Sequence, residues 1–185
     1  MDVPAGTRTA VLVEGTSDKA AVEALAAKRG RDLAAERVTV VALGGVTNIG
    51  NFLTLFRGFG LRYAGLCDAG EVRYFERGLE RAGLGTALDR AGLAELGFFV
   101  CEPDLEGELI RALGVDGVEA VVESLGDLHD LRVFQNQPFQ RGRPAEVQLH
   151  RFMGTQSGRK AKYAAALAEA LDVAPAPLES LLARL

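Results

Sequence analysis

Four short apolar runs, each followed by a stretch with helical periodicity, constrain the fold of this 185-residue chain most strongly. The runs span residues 9–13, 38–43, 61–67 and 98–101. Strands that alternate with helices in this way are typical of an α/β protein with a mostly parallel sheet. Beyond about residue 126 no clear strand remains. We therefore predict an α/β core over residues 1–125 and a helical C-terminal extension over residues 126–185.

Acidic residues follow three of these four strands, at the point where the chain turns toward a helix. They are Glu14 after the first strand, Asp68 after the third, and Glu102, Asp104 and Glu106 after the fourth. Ligands of open parallel sheets bind at the carboxyl ends of the strands, so these acids are expected to converge at one edge of the sheet. Asp18 lies four residues beyond Glu14, near the start of a helix that Ser17 could cap, and is expected to face the same crevice.

Several carboxylates at one edge repel one another unless a cation lies between them. Carboxylate oxygens are ligands that suit Mg²⁺ or Mn²⁺. The alternative is that each acid only favours the positive end of the following helix dipole. A helix dipole does not require an acid at the end of the strand in all three places, so the recurrence favours a shared metal site.

The C-terminal third concentrates positive charge in a protein whose formal net charge is -4. Between residues 140 and 163 Glu146 is the only acid. The basic residues of this stretch are Arg141, Arg143, Arg151, Arg159, Lys160 and Lys162. Phosphate contacts depend on local cations, so the stretch could bind nucleic acid, although a solvated basic face explains the charge equally well.

Cysteine and histidine usage argues against a disulfide framework and against a histidine-based metal site. Cys67 and Cys101 end apolar runs and are expected to be buried thiols. His129 and His150 have no metal-ligand spacing, so we expect them to be structural or surface residues. No apolar run is long enough for a transmembrane helix, and the N-terminus lacks a secretory pattern, which predicts a cytoplasmic protein.

Four segments, in order along the chain, resemble the TOPRIM domain of OLD (overcoming lysogenization defect) nucleases. They are LVEGTSDKAAVEAL, LCDAGE, DLEGEL and SGRKAKYAAALAEAL. The resemblance covers most of the chain and implies a Rossmann-like sheet flanked by helices. The ATPase domain of OLD proteins has no counterpart here, so the chain is expected to be a free-standing TOPRIM protein.

The resemblance implies a Mg²⁺-dependent nuclease, or one that uses Mn²⁺, with two ions at the scissile phosphate. One ion would activate a water molecule and the other would stabilise the leaving oxygen. The implied metal ligands are Glu14, Asp18, Asp68, Asp104 and Glu106. Glu14 and Lys160 would be the catalytic residues. Lys160 is preferred to Lys162 because it is expected to lie immediately before the last alanine-rich helix.

The second acid of the family's Asp-x-Asp motif is missing, because Gly70 occupies its position. Glu71 is the nearest replacement and is a tentative metal ligand. The loss could leave a single-metal site, a weakened enzyme, or a rearranged site in which Glu71 turns inward.

The leading hypothesis is an endonuclease that acts on DNA, in repair or in phage defence. Arg141, Arg143, Arg151, Arg159 and Lys162 are its predicted nucleic-acid contacts. A separate ATPase subunit and a second copy of the chain are further candidate partners, whereas a membrane is not expected. The alternatives are a nucleic-acid-binding or regulatory module without catalysis and a nuclease that processes RNA.

Overall fold

The computed structural model describes residues 3–155 and 158–185, so residues 1–2 of the N-terminus and residues 156–157 of the lysine-bearing segment lie outside it. The described residues contain one sheet of four parallel strands in the order β2-β1-β3-β4. The strands are β1 (Thr9–Val13), β2 (Val38–Ala42), β3 (Arg62–Asp68) and β4 (Phe98–Cys101). The predicted α/β fold is confirmed, and each strand lies within one residue of its predicted bounds.

Helices cover both faces of the sheet. In the described residues they are α1 (Thr16–Lys28), α2 (Ile49–Leu55), α3 (Val72–Arg81), α4 (Arg90–Glu95), α5 (Leu105–Ser124), α6 (Leu128–Gln135), α7 (Ala145–Met153), α8 (Arg159–Ala170) and α9 (Ala176–Arg184). Short 3-10 turns, Val46–Asn48 and Ala69–Glu71, precede α2 and α3. Gly114 has a positive φ of 70° and interrupts the helical geometry of α5, which side chains other than glycine rarely allow.

The central strand β1 is completely buried because its side chains alternate between two cores. Val11 and Val13 pack among residues of α1, α5 and the C-terminal helices, whereas Ala10 and Leu12 pack among residues of α2, α3 and α4. On β3, a Cβ added to Gly65 would lie 2.2 Å from the carbonyl oxygen of Leu12. The sheet therefore needs glycine at this position.

The strand order places the crevice between β1 and β3 at the centre of the sheet. From β1 the chain crosses to β2 on one side, and β3 then pairs with β1 on the other side. The crevice between β1 and β3 is thus the topological switch point, where open α/β sheets bind ligands. Glu14 follows β1 directly and Asp68 is the last residue of β3, so both acids lie at this crevice.

Helix α8 ties the end of the chain to its beginning, because it packs against both α1 and α5. Tyr163, Leu167 and Ala168 of α8 are buried in the core that contains Val11 and Val13. The helical character of the chain after residue 126 is as predicted, while the proposed domain boundary at residue 125 stays a prediction.

Several local expectations differ from the structure. Helix α8 begins at Arg159, so Lys160 lies inside its first turn instead of before the helix. Helix α1 begins at Thr16, which places Ser17 in its first turn and not at the cap.

Both cysteines are buried free thiols, as predicted. Within residues 3–155 and 158–185, none of the helices has the length and apolar character needed to cross a bilayer.

Candidate metal centre

A cavity of about 590 Å³ opens at the carboxyl edge of the sheet. The structure brings to it all seven side chains that the sequence singled out as ligands or catalytic residues. They are Glu14, Asp18, Asp68, Glu71, Asp104, Glu106 and Lys160. Their proximity is an observation, whereas their role as ligands stays a prediction.

Three of the carboxylates form what we call the strand-end group: Glu14, Asp68 and Glu71. One oxygen from each lies within 4.8 Å of the others, a spacing that could hold a metal ion. Glu14 and Asp68 are placed by the ends of β1 and β3, and Glu71 by the 3-10 turn that follows β3. The turn brings Glu71 beside Glu14 and Asp68, whereas Gly70 contributes no acid.

Two members of this group, Asp68 and Glu71, have raised pKa values. Burial, and then the charges of Asp18 and Asp104, raises the pKa of the Asp68 carboxyl to about 7. Burial also raises the pKa of Glu71, and the neighbouring carboxyl of Glu14 raises it further. A bound cation would reverse both effects.

Asp18 lies in the first turn of α1, where its Oδ2 accepts a hydrogen bond of 2.8 Å from the backbone N–H of Gly15. That bond alone would be an adequate structural role for an acid at a helix start. Burial nevertheless raises the pKa of Asp18 to about 6, and the charges of Glu106 and Glu14 add to this effect. Asp18 therefore shares the electrostatic environment of the cavity in addition to ordering the turn.

A second set of side chains that could hold a metal, the helix-start group, consists of Asp104, Glu106 and His150. One ligand atom from each again lies within 4.8 Å of the others. Asp104 caps α5, where its Oδ1 accepts the backbone N–H of Gly107 at 2.8 Å, and its Oδ2 lies 2.8 Å from His150 Nε2. Glu106 is only 3% exposed, and its Oε1 lies 3.0 Å from Lys160 Nζ.

The two acids of the helix-start group lie against basic side chains: Asp104 contacts His150, and Glu106 contacts Lys160. The pKa of Asp104 is lowered, in contrast to the raised pKa values of Asp68 and Glu71. Burial acts to raise the pKa of Asp104, but the hydrogen bonds from His150 and Gly107 outweigh it and hold the pKa below the usual range. The bond to Asp104 raises the pKa of His150. Burial disfavours the charged form of Lys160, but the nearby Glu106 outweighs it and raises the pKa of the amine.

His150 is the residue at this site that sequence reasoning missed, since we expected a structural or surface histidine. It is separated from Asp104 by 46 positions, and the contact depends on how α7 packs against α5. Ligand spacing within one segment cannot reveal such a pair. The only available signal was the lone histidine within the basic stretch.

Four of the five predicted nucleic-acid contacts are exposed: Arg141, Arg143, Arg151 and Lys162. Arg159 is different, because it is 8% exposed and its guanidinium lies 4.5 Å from the centroid of the Phe152 ring. Its Nη atoms also reach Thr155 Oγ1 at 3.1 Å and Asp130 Oδ2 at 3.4 Å. The structure thus argues against the predicted phosphate contact of Arg159, since this side chain is used to pack α8 against the neighbouring helices.

Comparison with known proteins agrees with this architecture. Residues 7–69 match the family model described as the TOPRIM domain of overcoming lysogenization defect protein-like proteins. No match was found among the curated proteins.

Two solved structures extend the similarity to almost the whole chain. The C-terminal region of the Xanthomonas campestris pv. campestris OLD protein is 27% identical to this chain and has a TM-score of 0.70; the alignment covers 97% of this chain and 95% of that one. The C-terminal region of the Burkholderia pseudomallei OLD protein is 20% identical to this chain and has a TM-score of 0.67. The alignment covers 96% of each chain. At this level of identity the similarity shows the fold alone. Together with the match over residues 7–69, these similarities confirm that the chain resembles the TOPRIM region of the OLD family, a nuclease-type family.

Proposed function

We propose that this chain is a metal-dependent nuclease that cleaves phosphodiester bonds of DNA. The observation that carries the proposal is the convergence of six carboxylates and one lysine on a single cavity at the switch point of an OLD-like sheet. Structural roles explain individual acids: Asp18 accepts the backbone N–H of Gly15, and Asp104 caps α5. They do not explain why Asp18, Asp68 and Glu71 meet in this cavity, where burial and neighbouring carboxylates raise the pKa of each.

The donors fit Mg²⁺ or Mn²⁺. Glu71 Oε2 is buried and accepts no hydrogen bond from any of the described residues, so an oxygen ligand is available. We propose that the strand-end group, with Asp18 beside it, holds one ion, and that Asp104 and Glu106 hold a second. When bound, such ions lower the pKa of a water molecule and stabilise charge on phosphoryl oxygens.

Lys160 supplies a fixed positive charge beside the proposed centre. Its Nζ lies 3.0 Å from Glu106 and the side chain is half exposed, so the amine is held in place at one side and open to a substrate at the other. A preorganised cation of this kind stabilises the negative charge that builds up on a phosphate during cleavage.

Cationic side chains on the segment before α7 are suited to contacts with the DNA backbone. Arg141 Nε donates to the carbonyl oxygen of Asn136 at 2.8 Å, and Arg143 Nε donates to that of Phe139 at 2.7 Å. These bonds fix both guanidinium groups, and within the described residues their Nη atoms make no hydrogen bond or ion pair. Arg151 and the Asp127-paired Lys162 are further candidates. Because phosphate contacts depend on cations that lie close together, these basic side chains are suited to DNA binding although the net charge of the chain is -4.

The test is cleavage of supercoiled and linear DNA by the purified protein with Mg²⁺ or Mn²⁺, compared with Glu14→Ala. Glu123→Gln is the matched control, because Glu123 is an exposed acid of α5 away from the cavity. We expect cleavage by the wild type and by the control, and loss of cleavage in Glu14→Ala. No cleavage by the wild type, or cleavage that survives Glu14→Ala, would sink the proposal.

Two alternatives make different predictions in the same assay. A binding or regulatory module, which Gly70 favours, would bind DNA in a salt-sensitive manner without turnover. An RNA-processing nuclease would cleave structured RNA in preference to duplex DNA. A separate ATPase partner, a homodimer and a role in repair or phage defence stay predictions.

A further inference from the structure

A second cavity, of about 510 Å³, lies between α5 and α7 beside the proposed metal centre. Pro103 and Asp104 line both cavities, so the two share a wall. A chain molecule held in the carboxylate cavity could therefore extend into the second one without leaving the protein surface.

The second cavity has a mainly apolar interior. Ile110 and Val147 contribute aliphatic side chains, and Gly114, around which a Cβ would meet nothing within 4 Å, leaves space on the same wall. Val147 is 39% exposed, although it is a β-branched aliphatic residue on a surface helix. An apolar cleft of this kind is suited to a flat ring that is poorly hydrated on its faces.

The rim of the cavity carries positive charge. Arg151 is exposed, and its guanidinium makes no hydrogen bond or ion pair with any other described residue. Arg111 is oriented by Glu108 at 2.8 Å and by the carbonyl oxygen of Glu102. Glu146 is the acid on the same rim. Arg151 is thus the cation available to a phosphate on a ligand whose apolar part lies inside.

We infer that this cavity binds the base and sugar of a nucleotide that flanks the scissile phosphate, with a neighbouring phosphate at Arg151. The inference rests on the proposed function, since it takes the DNA strand to pass from one cavity to the next across the wall that they share. Apolar walls, a cationic rim and a wall shared with the carboxylate cavity all match one nucleotide of a single strand.

The experiment is an NMR titration of the full chain with dAMP, with EDTA present so that no divalent metal takes part. Val147→Asp places a carboxylate on the apolar wall, and Val133→Asp is the matched control because Val133 is a 53% exposed residue of α6 outside the cavity. We expect millimolar binding by the wild type and by the control, about tenfold weaker binding by Val147→Asp, and weaker binding by Arg151→Gln. Chemical shift changes should centre on α5 and α7.

Absence of dAMP binding by the wild type, or equal binding by all variants, would overturn the inference. Titration with AMP separates a general nucleotide site from one that prefers deoxyribose, and titration with inorganic phosphate shows whether Arg151 alone accounts for binding.

Cleavage kinetics distinguish this failure from failure of the proposed function. We expect Val147→Asp to raise KM and to leave kcat close to that of Val133→Asp. Nucleotide binding without cleavage would support the cavity and count against the nuclease, whereas cleavage with no response to Val147→Asp in either assay would do the reverse.

Discussion

The two carboxylate groups of the proposed centre differ in whether basic side chains lie beside them. The strand-end group brings Glu14, Asp68 and Glu71 together, and none of the three forms an ion pair with another described residue. In the helix-start group, Asp104 contacts His150 and Glu106 contacts Lys160. The strand-end group thus has no basic side chain beside it in the described residues, whereas the helix-start group lies against the Lys160 amine.

This difference predicts that the two groups contribute unequally to metal binding and to catalysis. Uncompensated carboxylates provide most of the attraction for a metal ion. Carboxylates that already have a cationic partner attract a metal less strongly, because the metal must compete with the side-chain cation. We therefore expect substitutions in the two halves to separate metal affinity from turnover.

The largest effect is expected for Lys160→Gln. Loss of the fixed cation should lower kcat by about 10²–10³-fold, which is typical for removal of one electrostatic stabiliser. Because Lys160 competes with a metal for Glu106, the affinity for Mn²⁺ should stay the same or increase. Calorimetry measures the affinity and single-turnover cleavage measures the rate, and a loss of Mn²⁺ affinity would contradict the assignment. Lys162→Gln is the matched control, because Lys162 lies on the same helix and pairs with Asp127.

A substitution in the strand-end group should act mainly on metal binding. Glu71→Gln removes one negative charge and one oxygen ligand, so we expect the affinity for Mn²⁺ to fall by about tenfold or more. Activity should partly recover at high metal concentration. Unchanged affinity, equal to that of Glu123→Gln, would show that Glu71 does not replace the acid missing at Gly70.

The next effect concerns stability in the absence of metal. The folded-state pKa of Asp68 lies above its unfolded value, so the native state binds this proton more tightly and the free energy of unfolding falls as pH rises from about 4 to about 7. Asp68→Asn removes this penalty. With EDTA present, it should be more stable than the wild type at pH 8 by about 1–2 kcal/mol, after allowance for solvent screening, and the gap should close toward pH 4.

Urea denaturation at several pH values measures this difference. Asp116→Asn is the control, because Asp116 is an exposed acid of α5. Saturating Mn²⁺ should reverse the order by stabilising the wild type. A gap that stays constant from pH 4 to pH 8 would show that Asp68 is not destabilised by burial.

The smallest effect is expected for His150→Gln. The imidazole contacts Oδ2 of Asp104, whereas Gly107 donates to Oδ1, and loss of such a supporting partner typically lowers metal affinity or activity by about 10-fold. The pH profile of cleavage should change as well, because the pKa of His150 is raised by Asp104. A full loss of activity would instead indicate that His150 itself is a metal ligand.

The sequence was most informative where one strand and its following turn determine the position of a side chain. Glu14 and Asp68 could be predicted at one sheet edge because parallel strands present their carboxyl ends together. The positions of His150 and Arg159 could not be predicted, because both depend on the packing of helices that are distant in the sequence. Charge alone did not distinguish Arg159, which is buried against Phe152, from the exposed Arg151.

The order of the elements along the chain determines when each part of the carboxylate cavity emerges during synthesis, and α8, which packs against α1, comes late. A ribosome that has released β1, β3 and the start of α5 has already exposed all six acids of the cavity, but Lys160 and His150 are still to come. Until α7 and α8 have emerged, the nascent chain has the acids of the proposed metal centre but lacks Lys160 and His150. The proposed cleavage would therefore have to wait until α7 and α8 have emerged and packed against the sheet.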